Sequence, residues 1–169
     1  MSSDKDWCDF FLVHDKRLTT KQRQCRWNAL YKWAQRTFPK DASFTPQWIG
    51  ELFRKIDYLW YDHRLIAKLR QVYGGLHIRL DVDEMNIAGC VVEGTKDVTL
   101  YMNRNLFQAL FRKNESGYHT GGLLCKDRLT CFLHIVLHES VHVLLTLCEK
   151  LEQWEDTYPH GKIFRKLVK

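Results

Sequence analysis

The residues best suited to chemistry lie in one short segment, His138-Glu139-Ser140-Val141-His142. Residues four apart in a helix lie one above the other, so the two imidazoles can bind the same metal ion. Glu139 is one residue step away from His138, which puts its carboxylate beside the ion rather than on it. The H-E-x-x-H spacing therefore predicts a catalytic zinc site, in which Glu139 takes a proton from water as that water attacks a carbonyl.

A catalytic zinc site needs a third protein ligand and one open coordination position. We expect His160 to be this ligand, because the segment between His142 and His160 is long enough to fold back over the metal. Glu149, Glu152 and Glu155 are the alternatives, although each of them also fits a solvated acidic turn.

Further polar groups are candidates to hold a zinc ligand in place. His134 and Glu149 return to the face of His138 and His142 at helical spacing, so either could bond the second ring nitrogen of a ligand. His134 fits equally well a core histidine that is bonded to a backbone carbonyl. Tyr158 is the remaining candidate, as a neighbour of the third ligand and a donor to a developing oxyanion.

Hydrophobic periodicity predicts the helices that precede the motif. Thr19 or Thr20 caps a helix that Pro39 ends, and Thr45-Pro46 begins another one. This second helix bends near Tyr61-Asp62-His63. Residues 1–45 are thus expected to form a basic helical extension that packs on the core of a domain over residues 46–169.

The central part of the chain changes to the period of β-strands and then returns to helix. Three strands are predicted near residues 76–80, 87–93 and 97–102, in a small, mostly antiparallel sheet. Asn103 caps a further helix, and a polar loop runs from Asn114 to Gly122. The longest helix is expected from about Asp127 to Glu149, and it is apolar nearly all round. The fold class is therefore α+β, with the motif on a long buried helix.

Composition limits the class of protein. The six cysteines form no C-x-x-C pair, which favours reduced thiols in an intracellular protein, nuclear or cytoplasmic. The charged N-terminus excludes a secretory signal, and we find no apolar run of membrane-spanning length. The chain is thus expected to be neither secreted nor membrane-bound, and a monomer by default.

The H-E-x-x-H helix followed by His160-Gly161-Lys162-Ile163-Phe164 resembles the SprT-like zinc metallopeptidase family, which includes Spartan-like protease domains. The segment from Leu52-Phe53 through Trp60 to Leu65 resembles the opening helix of that family and its turn. Ala88-Gly89-Cys90 followed by the second and third predicted strands resembles its central sheet. The resemblance implies a zincin-like fold with one catalytic zinc. It also implies that His138, His142 and His160 bind the zinc and that Glu139 is the general base of an endopeptidase.

The resemblance further implies that protein crosslinked or bound to DNA could be the substrate. Formal net charge is +6, and the segment from Lys16 to Lys40 has eight Lys or Arg residues and no Asp or Glu. Aromatic residues are interleaved in this segment, so it could contact single-stranded DNA, although the same pattern fits a solvated helix face. The candidate DNA contacts are Arg23, Lys32, Arg36, Lys162, Arg165 and Lys166. The rival hypothesis is a non-catalytic nucleic-acid-binding module with a structural or vestigial zinc.

Overall fold

The computed structural model describes residues 4–39, 44–80, 88–112, 118–120, 123–150 and His160. Within these ranges the chain is mixed α and β, which confirms the α+β class. The helices are α1 (Asp4–Arg17), α2 (Thr20–Thr37), α3 (Pro46–Tyr61), α4 (Arg64–Tyr73), α5 (Arg104–Arg112) and α6 (Arg128–Lys150). The strands are β1 (Leu76–Arg79), β2 (Gly89–Glu93), β3 (Val98–Met102), β4 (Tyr118–Thr120) and β5 (Leu123–Cys125).

Side-chain caps set the starts of four helices. Thr19 forms a capping box with Gln22 at α2, and Thr45 accepts a hydrogen bond from the Trp48 amide at α3. Asn103 accepts from the amide of Leu106 at α5 over 3.1 Å, and Asp127 accepts from the amide of Thr130 at α6 over 2.7 Å. Such caps satisfy amides that have no partner within the helix and stabilise it by about 1 kcal/mol each.

The predicted bend near residue 61 is a complete break between α3 and α4. Asp62 and His63 both have left-handed backbone conformations, with φ of 52° and 62°. The buried carboxylate of Asp57 accepts hydrogen bonds from the amides of Leu65 and Ile66, at 3.0 and 3.4 Å. Asp57 therefore caps α4 from the preceding helix and fixes the angle between the two.

The three-stranded sheet has the order β1-β3-β2. β2 runs antiparallel to β3, whereas β1 runs parallel to it, with Leu76 opposite Val98. The prediction of a mostly antiparallel sheet is therefore wrong for one of the two pairings. Period-2 alternation locates strands, but it does not say which strand takes the central position, because that depends on contacts distant in sequence.

The polar loop predicted from Asn114 to Gly122 is also wrong in part, because β4 lies within it. β4 pairs antiparallel with β5, and Thr120 stands opposite Leu123. The two residues between them in the sequence are Gly121 and Gly122. A Gly-Gly pair favours a two-residue hairpin, and this signal is hidden by the shortness of the flanking strands.

Helix α6 is the centre of the molecule. It contacts α2, α3, α4, α5, β2, β3, β4 and β5. Its buried side chains include Phe132, Leu133, Val136, Leu144 and Leu147, all at 0% exposure. The helix that carries the motif is thus held on most of its sides, which limits the movement of the residues on its remaining face.

By length and composition alone, α6 also qualifies as a membrane-spanning helix, so the expectation that no segment reaches that length is wrong. Within the most apolar 18-residue stretch of this helix, 67% is buried inside the fold. A core helix of a soluble protein has the same properties, so this is weak evidence for a membrane span. In the described part of the chain no other helix meets the criterion.

The first two helices share the main hydrophobic core. Cys8 and Phe11 of α1 and Leu30 and Ala34 of α2 are buried, at 0 to 3% exposure. The hydrogen bond between the Tyr31 hydroxyl and the Asp127 carboxylate, at 2.8 Å, ties α2 to the start of α6. α1 is not among the helices predicted from the sequence, and its Trp7, Cys8, Phe10 and Phe11 lie in or against this core.

Candidate metal centre

Three imidazoles converge at the face of α6 that the core leaves free. Nε2 of His138 lies 3.1 Å from Nε2 of His142 and 3.0 Å from Nε2 of His160. The ring centroids of the three histidines form a nearly equilateral triangle, with sides of 4.9, 5.0 and 5.1 Å. The structure therefore brings together the three residues that the sequence predicts as metal ligands.

Local structure explains how each ring reaches this point. His138 and His142 lie one helical turn apart on α6, so their side chains project in the same direction. Ser140, between them, donates a hydrogen bond to the carbonyl of Leu137 over 2.7 Å and lies 2.9 Å from the hydroxyl of Tyr61 on α3. Because the serine proton is used for the carbonyl, Tyr61 is the donor of the second bond, which anchors the motif to α3.

His160 reaches the site from outside α6. Its backbone is left-handed, with φ of 63°, and its side chain is exposed. A non-glycine residue in this conformation costs of the order of 1 kcal/mol, and such residues are enriched at functional sites. The ring of His160 contacts the rings of both His138 and His142.

The environment keeps the histidines of α6 in the neutral form that binds a metal. Burial, and then the charge of His160, lowers the pKa of His138. Burial, with smaller contributions from His138 and His160, lowers the pKa of His142 to about 4. Both imidazoles are therefore free of an extra proton at neutral pH.

Glu139 is a buried carboxyl group beside the three rings. Only 5% of it is exposed, and burial raises its pKa to about 7. Its Oε2 atom has no hydrogen-bond partner among the residues that the structure describes. A buried carboxylate oxygen without a partner is costly unless a ligand or a cation compensates it, which marks Glu139 as a candidate functional residue.

Gly89 of β2 packs directly on Glu139. A Cβ atom at position 89 would lie 3.0 Å from Cγ of Glu139, 3.1 Å from its Cδ and 3.2 Å from the carbonyl of Tyr101. A side chain at position 89 would therefore require Glu139 to shift by a few tenths of an ångström. The available signal in the sequence is a glycine at the start of an otherwise bulky strand, which often marks close contact with a ligand or another backbone.

A cavity of about 510 Å³ opens over these residues. Its floor is the exposed face of α6 from Ile135 to Glu149, and one wall is β2. Thr120 of the hairpin lines it as well. Sequence reasoning missed this hairpin residue, because the position of β4 depends on its packing against α6.

The donor set fits zinc. Atoms bound 2.0–2.1 Å from a tetrahedral zinc lie about 3.3 Å apart, and the two Nε2 distances above are within a few tenths of an ångström of this value. Three imidazole ligands leave one position open, as in catalytic zinc sites. Burial and the charge of Glu139 raise the pKa of the nearby Cys90 thiol.

The other candidates around the ligands have different positions. His134 lies one turn before His138 and stacks on Trp27 of α2, with a centroid distance of 4.3 Å and an angle of 20°. His134 therefore packs α6 against α2. Glu149 is exposed and lines the cavity at the end of α6. Tyr158, like the alternative ligands Glu152 and Glu155, lies outside the described residues.

Half of the candidate DNA contacts can be placed. Lys32 and Arg36 are exposed on α2, and Arg23 is half-buried. The interleaved aromatic rings turn inward, because Trp27 stacks on His134 and Trp33 stacks on Trp48. This helix thus offers cations for phosphate contacts, whereas its aromatic rings are engaged in packing. The remaining candidates, Lys162, Arg165 and Lys166, lie outside the described residues.

Comparison with protein-family models, with curated proteins and with solved structures found no match.

Proposed function

We propose that this chain is a zinc-dependent endopeptidase whose catalytic centre consists of His138, His142, His160 and Glu139. The observation that carries this proposal is the combination of three converging imidazoles with a buried carboxylate whose Oε2 has no described partner. This combination lies in a cavity large enough for part of a peptide. It supports metal-assisted hydrolysis better than a structural metal site.

The three histidines would hold the zinc through their Nε2 atoms. When bound, zinc acts as a Lewis acid, which polarises a carbonyl group and makes water a better nucleophile near neutral pH. The apolar neighbours of the cavity, such as Ile135 and Leu145, restrict water around the reacting groups.

Glu139 would be the general base and then the general acid. Its carboxylate takes the proton of the attacking water, holds it, and transfers it to the amine that leaves. Burial favours the neutral form of Glu139, so the group keeps the proton readily between the two transfers. The close contact with Gly89 holds the carboxylate in one place.

The edge of β2 supports a peptide substrate. β2 pairs with β3 on one side, and on its other side it has no partner among the described strands. Gly89, Cys90 and Val91 of this strand line the cavity beside Glu139. An extended peptide can add to such an edge through backbone hydrogen bonds, which would place a peptide carbonyl next to the metal ligands.

The rival hypothesis is a nucleic-acid-binding module in which zinc has no catalytic role. Its support is the exposed pair Lys32 and Arg36. It gives no reason for a buried carboxylate next to the histidines, because a structural site needs ligands only. In our proposal, DNA presents the protein substrate to the peptidase. Binding of this DNA depends on exposed cations and not on base stacking by the aromatic rings of α2.

The test is cleavage of an unfolded protein substrate by zinc-loaded wild type and by Glu139→Gln. We expect cleavage by the wild type, a loss of at least about 100-fold in the variant, and equal zinc contents. The assay is run without nucleic acid, with single-stranded DNA and with double-stranded DNA, at two salt concentrations. Stimulation by DNA that salt weakens would support presentation of the substrate by DNA.

Two results would contradict the proposal. Equal activity of wild type and Glu139→Gln would show that a contaminant or another site cleaves the substrate. Absence of cleavage under all conditions, together with tight DNA binding that Lys32→Gln and Arg36→Gln weaken, would favour the binding module. Cleavage without any effect of DNA would leave a peptidase that acts independently of nucleic acid.

A further inference from the structure

The cavity extends well beyond the metal ligands and ends at an acidic group. Cavity-lining residues recur along α6 every three or four positions, from Ile135 at one end to Glu149 at the other. Glu149 follows Glu139 by ten residues, which corresponds to about 15 Å along a helix. A bound peptide would therefore pass Glu149 several residues away from the bond that reacts.

β2, which forms one wall of the cavity, ends in a carboxylate, Glu93. From Gly89 to Glu93, β2 spans about 13 Å. The hydroxyl of Tyr73 donates a hydrogen bond to Oε1 of Glu93 over 2.7 Å. Burial, Glu93 and the charge of Glu149 all raise the pKa of Tyr73. Tyr73 is thus influenced by both carboxylates, of which Glu149 lines the cavity.

Glu149 presents an exposed carboxylate to the cavity. Among the residues that the structure describes, no ion pair offsets this charge. The carboxylate therefore gives this part of the cavity a local negative charge in a chain of net charge +6.

We propose that Glu149 is a specificity residue, which selects peptides with a lysine or arginine about three to five residues from the scissile bond. The interval follows from the distance of about 15 Å and from the rise of about 3.3 Å per residue of an extended peptide. Glu149 acts by attracting the cationic side chain. This inference rests on the proposed peptidase function.

The test measures peptide binding separately from cleavage. Zinc-loaded Glu139→Gln protein is titrated with fluorescent peptides that carry one lysine, moved stepwise along an otherwise neutral sequence, and with a glutamine peptide as reference. We expect affinity to rise up to about fivefold at one or two adjacent lysine positions, as for an exposed ion pair. Adding Glu149→Gln to this protein should abolish the preference for lysine peptides. Adding Glu149→Lys should instead produce a preference for peptides that carry glutamate.

Glu51→Gln is the matched control, because Glu51 is an exposed acid on α3 that does not line the cavity. It should leave the lysine preference unchanged. Equal binding of all peptides, a preference that survives Glu149→Gln, or no peptide binding at all would overturn the inference. A preference that depends on Glu149 in a protein that cleaves nothing would retain the inference about the cavity and count against the peptidase itself.

Discussion

At the scale of single residues, the contact between Gly89 and Glu139 makes a sharp prediction. Gly89→Ala would place a methyl group about 3 Å from the carboxylate side chain, so Glu139 must move. We expect kcat/KM to fall roughly 10- to 100-fold, because small misplacements of a catalytic group are costly. Zinc content should stay that of the wild type, since no ligand is touched.

Gly50→Ala is the control for the effect of replacing a glycine. A Cβ atom there would meet Ile78 at 3.7 Å, which is an ordinary contact, and in the middle of a helix alanine is favoured by about 0.5–1 kcal/mol. This variant should keep full activity and gain some stability. Full activity of Gly89→Ala would contradict the positioning role of Gly89.

His134 gives a prediction about pH and stability. Burial lowers its pKa below the unfolded value of about 6.5, so the unfolded state binds a proton at higher pH than the folded state does. Its contribution to stability is therefore complete above pH 6.5 and is lost as pH falls through its folded pKa. The measurement is the free energy of unfolding from pH 7.5 to 5.5 for wild type and His134→Phe.

Phenylalanine keeps an aromatic ring against Trp27 but cannot bind a proton. The metal ligands are the same in both proteins, so their own pH dependence cancels in the difference. We expect the stability of the variant to rise relative to wild type below pH 6.5, by at most about 1.4 kcal/mol per pH unit. Parallel curves would show that His134 takes up no proton in this range on unfolding.

At this scale the sequence shows which residue types occur and how they are spaced, but not how closely their side chains approach one another in space. The placement of His138 and His142 follows from helical geometry. The expectation that His160 meets them rests on the length of the segment after His142 and on the family resemblance, because helical geometry alone does not give the path of the chain there. The role of Gly89 appears only when β2 and α6 are seen in contact.

At the scale of elements, the attachment of α2 to the start of α6 can be tested by Tyr31→Phe. This change removes the hydrogen bond to Asp127, which itself caps α6. Burial raises the pKa of Tyr31 to about 12, as does its bond to Asp127, so the hydroxyl stays a donor over the accessible pH range. We expect a loss of about 1 kcal/mol in the free energy of unfolding, measured by denaturant titration.

Tyr58→Phe is the corresponding control, since Tyr58 is 52% exposed. It should change stability by less than about 0.5 kcal/mol. If Tyr31→Phe is as stable as this control, the bond between the two helices contributes nothing measurable.

Most elements could be predicted, because their signals are local. The caps at Thr19, Thr45 and Asn103 have the bonding that their residue types suggest. Parallel pairing of β1 with β3 could not be predicted, because it brings together segments that β2 separates in sequence. The β4–β5 hairpin is not predicted, because three-residue strands are too short to show alternation of apolar and polar residues.

At the scale of the whole molecule, the structure predicts that the first two helices are needed for folding. Phe11, Leu30 and Ala34 are buried in the same core as the side chains of α3 and α6. Each large apolar side chain removed from water stabilises a protein by about 1.5–3 kcal/mol, against a total stability of about 5–15 kcal/mol. A chain that starts at residue 40 should therefore lose cooperative thermal unfolding.

A shorter truncation is the informative comparison. Removing residues 1–18 takes away α1 but keeps α2, so we expect a folded protein with a lower Tm. If the chain that starts at residue 40 unfolds cooperatively and keeps its zinc, residues 1–39 are a dispensable extension and the shared core contributes less than we infer.

The central claim is that three histidines hold a zinc ion with one open position, and X-ray absorption at the zinc edge tests it most directly. The sample is wild-type protein purified without chelator. We predict one zinc per chain with four nitrogen or oxygen ligands at about 2.0–2.1 Å, three of them imidazoles, and no sulfur at about 2.3 Å. Sulfur ligands, or protein that is folded but does not bind zinc, would contradict the account.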